Sequence, residues 1–295
     1  MAFAIGVDIG GTKVAGGVVG ADGTVVATTR RDTPGDDARA ALDAVVAVVD
    51  ELRRDHDVEA VGIAAAGYVS ADRTTMLFAP NLPWQDVPVR DLVAERVGLP
   101  VVVENDANAA AWAEHRYGAG VGEPYLVCLT VGTGIGAGVV LDGALYRGRY
   151  GIAGEPGHVA VVRDGLPCGC GNNGCLEQYA SGTALARYVR ERGGTATGAD
   201  VTAAAREGDE AALAAFACVG DWLGRGLADI VSLLDPGVLV IGGGVADAGE
   251  LLLDPTRRSF EAHLSGRGHR PVADVRLARL GNAAGLVGAA DLARA

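Results

Sequence analysis

Gly11-Thr-Lys-Val-Ala-Gly-Gly-Val-Val19, closed by the turn pair Asp22-Gly23, returns in altered form as Gly132-Thr-Gly-Ile-Gly-Ala-Gly-Val-Val140, closed by Asp142-Gly143. A short apolar run precedes each, Phe3 to Val7 and Tyr125 to Leu129. Each copy reads as strand, glycine turn, strand, Asp-Gly hairpin, strand. A second pair follows in the same order: Asp57 to Ile63 and Asp235 to Ile241 are strand-like runs that enter small-residue loops, Ala64 to Gly67 and Gly242-Gly243-Gly244. Helical stretches lie between, about Asp36 to Arg54 in the first half and Ala203 to Leu234 in the second. In the first of these, Leu42, Val45, Val46, Val49 and Leu52 fall on one face. Glycine-rich hairpins can resemble one another by chance, but two pairs in one order favour duplication. The expected fold is α/β, with two related domains facing each other across a cleft, where small ligands bind. The first domain is expected over residues 1–110, with a C-terminal helix at 282–295 crossing back onto it. The second is expected over residues 111–281.

The bulk numbers agree with that scale. The chain has 295 residues and 49% hydrophobic content, enough for one large or two medium domains. A net charge of −12 argues against a nucleic-acid surface. No apolar run reaches the roughly 18 residues of a membrane span. Met1-Ala-Phe-Ala-Ile leads straight into a strand-like run, without the basic and apolar regions of a secretory signal. The expected location is the cytoplasm.

His158 and Cys168-Gly-Cys170-Gly-Asn-Asn-Gly-Cys175 form the densest cluster of metal-ligand residue types. Three thiolates and an imidazole suit a closed tetrahedral zinc site. A disulfide is the alternative, but five cysteines is an odd number and the setting is reducing. Cys128 and Cys218 sit in apolar stretches and read as core residues. Glu155 and Glu177 bracket the cluster, so a metal bound by His158, Cys168, Cys170 and Cys175 would hold two carboxylates near one another.

Three other motifs carry chemistry. Asp8-Ile-Gly-Gly-Thr-Lys13 follows a strand; backbone N–H groups at Gly10 and Gly11, with Thr12 and the chain's single lysine, Lys13, suit phosphate oxygens. Asp8 suits Mg²⁺ or its water shell. The second copy answers with Thr133 and Gly134 but carries no acid. Gly243 and Gly244 form a third turn, fit for close approach to a flat base and ribose. Glu104-Asn105-Asp106 ends the apolar strand Pro100 to Val103. There a carboxylate can act as a general base, or Asn105 or Asp106 can cap the helix expected over Ala107 to Tyr117. Asn81, between Pro80 and Pro83, is either an amide ligand or a turn residue.

With these residues assembled, the chain resembles the ROK family of sugar kinases, and within it the bacterial glucokinases, from about residue 4 to residue 290. The most specific element is Glu155-Pro-Gly-His158 followed by the cysteine loop and Glu177. The resemblance implies the duplicated actin-like ATPase (ribonuclease H-like) fold with a structural zinc loop. It also implies ATP-dependent phosphorylation of glucose at its 6-hydroxyl. By position, Asp106 would be the base and Asn105 would hold a neighbouring hydroxyl. Glu155, His158 and Glu177 would bind hydroxyls near the anomeric end, and Gly67 and Asn81 would lie on the 3-hydroxyl side. ATP, Mg²⁺ and structural Zn²⁺ are the implied cofactors, and a homodimer or homotetramer the implied assembly. A fructokinase or an N-acetylmannosamine or N-acetylglucosamine kinase is the alternative. Sugar-responsive repressors of the family carry an added DNA-binding module, for which the sequence before Asp8 leaves no room.

Overall fold

The computed structural model describes residues 3–35, 37–195 and 197–294. The chain divides into two compact units. The first comprises Met1–Gly122, Gly138–Gly154 and Leu280–Ala295, the second Glu123–Ala137 and Glu155–Arg279. The sequence-based division at 110/111 would cut through a helix, α3 (Asp106–Tyr117), that packs within the first unit.

In the first unit the strands β1 (Phe3–Ile9), β2 (Lys13–Val19) and β3 (Val25–Asp32) form an antiparallel meander. Helix α1 (Ala38–Leu52) then crosses to β4 (Val58–Ala65), which lies parallel to β1. Asp37 caps α1 by accepting from the N–H groups of Arg39 and Ala40. The expected start, Asp36, lies outside the described residues. Leu42, Val45, Val46, Val49 and Leu52 are all buried, as their spacing requires. A small sheet follows, of β5 (Tyr68–Val69), β6 (Met76–Phe78) and β7 (Gln85–Val87), then α2 (Val89–Val97) and β8 (Val101–Asn105), parallel to β4. The main sheet has the order β3-β2-β1-β4-β8. Its registers pair Asp8 with Ala64 and Ala64 with Glu104, so the carboxyl ends of three parallel strands lie in one row. Ligands of open α/β sheets bind at such edges.

The second sheet, of β9 (Leu126–Val131), β10 (Ile135–Leu141), β11 (Ala144–Tyr146), β12 (Val238–Gly242) and β13 (Asp274–Leu277), has the order β11-β10-β9-β12-β13. Strand for strand it repeats the first, which is the expected duplication. The unit boundary runs through β10. Between β11 and β12 come the cysteine loop and α4 (Glu177–Ala180), α5 (Gly182–Glu191), α6 (Ala199–Arg206) and α7 (Glu210–Leu234). The single helical stretch expected over Ala203 to Leu234 is thus two helices. Gly208 breaks it at φ +92°, and Asp209 starts α7 by accepting from the Ala212 N–H at 2.8 Å. By length and mean hydropathy α7 passes for a membrane span, but Asp221, Arg225 and Asp229 interrupt it, so its longest apolar run stays below the roughly 18 residues of a span. Its apolar face is instead buried in the second unit against α8 (Glu250–His263), α5 and α4. Cys128 is a core residue as expected. Cys218 is not: it is partly exposed on α7, with the Arg192 guanidinium 3.2 Å from its sulfur.

The last helix, α9 (Ala284–Ala293), returns to the first unit. It lies against the sheet at backbone contact. A Cβ on Gly6 of β1 would stand 1.8 Å from the Leu286 carbonyl oxygen, and one on Gly62 of β4 1.8 Å from that of Ala289. Neither space admits a methyl group. On its far side, Asp291 accepts from Trp112 Nε1 at 2.8 Å and from Tyr117 Oη, both on α3. Gly62→Ala is expected to destabilise the protein by about 2–3 kcal/mol through overpacking. The check is the urea midpoint, which should fall at unchanged m-value; a wild-type midpoint would show that α9 does not need this contact.

Candidate functional site

In the first unit the sequence-predicted residues gather at the carboxyl edge of the sheet. The glycine turn after β1 closes where the Gly10 N–H donates to the Lys13 carbonyl at 2.9 Å. Gly11 sits against the Asn81 loop: a Cβ there would lie 3.0 Å from Asn81 Cβ. Asn81 is an exposed turn residue, and its Cβ and carbonyl oxygen pack on the glycine turn. Thr12 and Lys13 point to solvent. Asn105 takes the capping part of its motif. Its Oδ1 caps α3 by accepting from the Asn108 N–H at 3.0 Å, while its Nδ2 donates to the Gly67 carbonyl at 3.0 Å. Asp106 is the first residue of α3 and is not the cap. Its Oδ1 accepts from the Ala107 N–H at 2.9 Å.

Two carboxyls are placed together here. Burial, and then the neighbouring Asp106 charge, push the Asp8 carboxyl up to about 6. Burial also raises Asp106, partly offset by its Ala107 hydrogen bond. Asp8 also faces the first turn of α9, where a Cβ on Gly285 would lie 2.9 Å from Oδ2. That helix start offers a partial positive charge. A cation would return Asp8 to its ionised form, so the site fits Mg²⁺.

In the second unit the four metal-ligand residues converge. One ligand atom from each of His158, Cys168, Cys170 and Cys175 lies within 4.8 Å of all the others. Cys168 Sγ is 3.7 Å from His158 Nδ1, and Cys170 Sγ is 3.6 Å from Cys175 Sγ. A tetrahedron with Zn–S bonds of about 2.3 Å has edges of about 3.8 Å. The spacings therefore fit a zinc ion, and they are far beyond a disulfide bond of about 2.05 Å. Burial pushes the Cys175 thiol up to about 12, so at neutral pH only a cation would make it a thiolate ligand. Both flanking carboxylates border the cluster. Glu155 Oε2 is 4.0 Å from His158 Nε2, and Glu177 Oε1 is 3.9 Å from Cys168 Sγ.

Glu177 also reaches the second glycine turn. Its Oε2 accepts from the Ile135 N–H at 2.9 Å, and a Cβ on Gly134 would lie 2.2 Å from that oxygen. The Thr133 carbonyl accepts from Thr183 Oγ1 at 2.7 Å, and the Gly132 carbonyl from the Gly182 N–H at 2.7 Å. Gly243, at φ +85°, is pressed against β9, where a Cβ would stand 2.5 Å from the Val131 carbonyl. Gly244 faces open space. The predicted sugar and nucleotide residues of this unit are thus neighbours. The sequence placed Glu104 in the motif but gave it no role of its own, and the structure buries it fully on β8; an acid closing the run Val101-Val102-Val103 was its signal.

Residues 4–295 match the sequence profile of the ROK family. The chain is 48% identical to a glucokinase of Streptomyces coelicolor, across all of this chain and 98% of that relative. Among solved structures, it is similar to a ROK family glucokinase from Streptomyces griseus in complex with glucose and AMPPNP. That likeness has a TM-score of 0.91 and 52% identity, covering 99% of each chain. A ROK hexokinase from Thermus thermophilus superposes with a TM-score of 0.84 at 37% identity, covering 99% of this chain and 98% of that one.

Two outcomes follow from the geometry. Cys170→Ser should lower bound zinc from one ion per chain to well below one, read by elemental analysis of the purified protein. Full zinc content would remove Cys170 from the ligand set. Asp8 binds a proton more tightly in the folded state than its ordinary value of 3.8 allows in the unfolded chain. Stability is therefore lost as pH rises from about 4 through about 6. At about 1.4 kcal/mol per unit, the cost at pH 7 is on the order of 3 kcal/mol. Asp8→Asn in Mg²⁺-free buffer should raise Tm at pH 7.5, and by about half as much at pH 5. An equal change at both pH values would refute a buried, raised carboxyl.

Proposed function

The chain belongs to the ROK family, and from that premise we propose that it transfers the γ-phosphoryl group of ATP to the 6-hydroxyl of glucose, giving glucose 6-phosphate and ADP. The observation that carries this reading is the meeting of Asp8 and Asp106 at the carboxyl edge of one sheet. Phosphoryl transfer needs a cation site beside a base, and little covalent help. The full-length similarity to glucokinases, one with glucose and an ATP analogue bound, supports the same substrates.

Asp106 is the general base. Its carboxylate takes the 6-hydroxyl proton as the sugar oxygen attacks the γ-phosphorus, and the bond to the β,γ-bridging oxygen breaks to release ADP. A carboxylate raised by burial is a stronger base than an exposed one. Asn105, fixed by Gly67 and by the α3 cap, holds a neighbouring hydroxyl. Gly67 and Asn81 border the sugar on its 3-hydroxyl side, and Glu155, His158 and Glu177 bind hydroxyls near the anomeric end. The turns at Gly10–Lys13, Thr133–Gly134 and Gly243–Gly244 hold the nucleotide through backbone N–H groups. Asp8 would hold Mg²⁺, which supplies charge neutralisation of the phosphates when bound. His158, Cys168, Cys170 and Cys175 would hold Zn²⁺ as structure.

An ADP-release assay with Mg-ATP tests the reading across glucose, mannose, fructose, N-acetylglucosamine and N-acetylmannosamine. Glucose is expected to give the highest kcat/KM; a higher value for another hexose would overturn the substrate. Asp106→Asn should bind glucose within a few-fold of wild type by calorimetry while kcat falls by about 10²–10⁴-fold. Near-normal turnover would remove Asp106 from the base role. The acid limb of the wild-type kcat/KM profile should lie above the ordinary aspartate value of about 3.9.

A further inference from the structure

We propose that Glu104 is a positioning residue for the Asn105-Asp106 pair, held in its working place by Arg147 and Arg73. The inference rests on the kinase reading above and names a part of its machinery that the sequence left without a role. Glu104 is fully buried on β8, one residue before the pair. Its Oε1 accepts from the backbone N–H of Asn105 at 2.9 Å and from Asn108 Nδ2 at 3.1 Å. Asn108 in turn gives its own N–H to Asn105 Oδ1. One carboxylate oxygen thus fixes the strand end and the first turn of α3, between which Asp106 sits.

The other oxygen is ion-paired with two guanidinium groups, by proximity of charge and not through an aligned hydrogen bond. Arg147 Nε lies 2.8 Å and Arg73 Nε 3.1 Å from Oε2. Arg147, itself only 9% exposed at its side chain, sends its remaining nitrogens to the carbonyls of Ala71 at 2.8 Å and Ser70 at 3.0 Å. That loop follows β5 and Gly67, and the Gly67 carbonyl receives Asn105 Nδ2. The circuit is closed: Glu104 to Arg147, to the loop after Gly67, to Asn105, and back to Glu104.

Folding alone does not call for this arrangement. A buried ion cluster gains little over apolar packing once desolvation is counted. A valine at 104 would continue the run Val101-Val102-Val103 and serve the sheet as well. What the carboxylate adds is a fixed position for the residue that takes the proton. A misplacement of about 1 Å at a reacting group can lower the rate about 100-fold.

The test compares Glu104→Gln and Arg147→Met with the wild-type full-length protein. The measurements are kcat, the glucose dissociation constant by calorimetry without ATP, and Tm. Glu104→Gln should lower kcat by about 30–100-fold while glucose affinity stays within about threefold, in protein folded at the assay temperature. Arg147→Met should act in the same direction, by about tenfold. The inference is overturned if kcat in either folded variant stays within about twofold of wild type. It is also overturned if glucose affinity worsens as much as kcat falls, which would mark a damaged pocket instead of a displaced base. Should Glu104→Gln not fold, Arg147→Met, which leaves Glu104 paired with Arg73, decides by the same criteria. Failure of the kinase reading is seen separately, as a wild-type protein that phosphorylates no hexose.

Discussion

The first unit depends on one close contact, the backbone of α9 against the backbones of β1 and β4. It exists because Gly6 and Gly62 present no side chain where the Leu286 and Ala289 carbonyls arrive. A third glycine, Gly288, does the same on the other side of the helix, where a Cβ would stand 1.8 Å from the Ala109 carbonyl of α3. The helix is thereby held between sheet and α3 at a separation that ordinary side chains forbid. Asp291 then fixes its rotation through Trp112 and Tyr117 of α3. The consequence appears at the other end of α9, whose first turn comes to rest beside Asp8. A helix start aimed at a buried carboxyl is an anion-tolerant corner, suited to a site that must accept phosphate and release it.

The electrostatics of that edge follow from the sheet register. Asp8, Ala64 and Glu104 lie in one row, and the chain turns into α3 at Asp106 just beyond. The three acids there have different environments. Glu104 is countered by two guanidinium groups. Asp8 and Asp106 face one another, and burial raises both. Groups pushed apart from their ordinary values in this way mark the places where protons and cations are handled. The two sheets share a strand order but not this chemistry. The row in the second unit carries glycine and threonine turns, and its acids come from the cysteine loop.

Much of this was legible in the sequence, for physical reasons. Duplicated glycine hairpins announce themselves because tight turns admit few residue types, and the five apolar residues of α1 because one face must be buried. The cluster of His158, Cys168, Cys170 and Cys175 was legible because thiols and an imidazole that dense have few other uses. What stayed hidden was long-range. The Glu104–Arg147 pair joins residues with no common periodicity, and nothing local distinguishes a buried guanidinium from an exposed one. The contacts of Gly6 and Gly62 lie inside strand patterns, where glycine reads only as a weak strand former. The break between α6 and α7 was carried by Gly208-Asp209, a local signal that the apolar run on either side outweighed. Cys218 was assigned to the core by its neighbours' hydropathy, although its own position on α7 faces outward.

The cysteine loop shows why a metal suits this fold. From Val159 to Leu176 the chain is turns and short antiparallel bridges, joining Ala160 to Cys175 and Pro167 to Asn173. Val159 and Leu166 are exposed and burial is confined to its end at Gly174 to Leu176, so apolar burial does little to hold the rest of the segment. Ordering each residue of such a loop costs about 1–2 kcal/mol of backbone entropy. Four ligands on one ion can offset that on the scale of about 10–16 kcal/mol seen for structural zinc. The ion would then fix His158 and Cys168, and through them the carboxylates of Glu155 and Glu177 at their sides. Glu177 is held a second time, by the Ile135 N–H beside the Gly134 turn. Acids placed by coordination would need no strand or long helix beneath them. The sheet edge is left for Asp8 and Asp106.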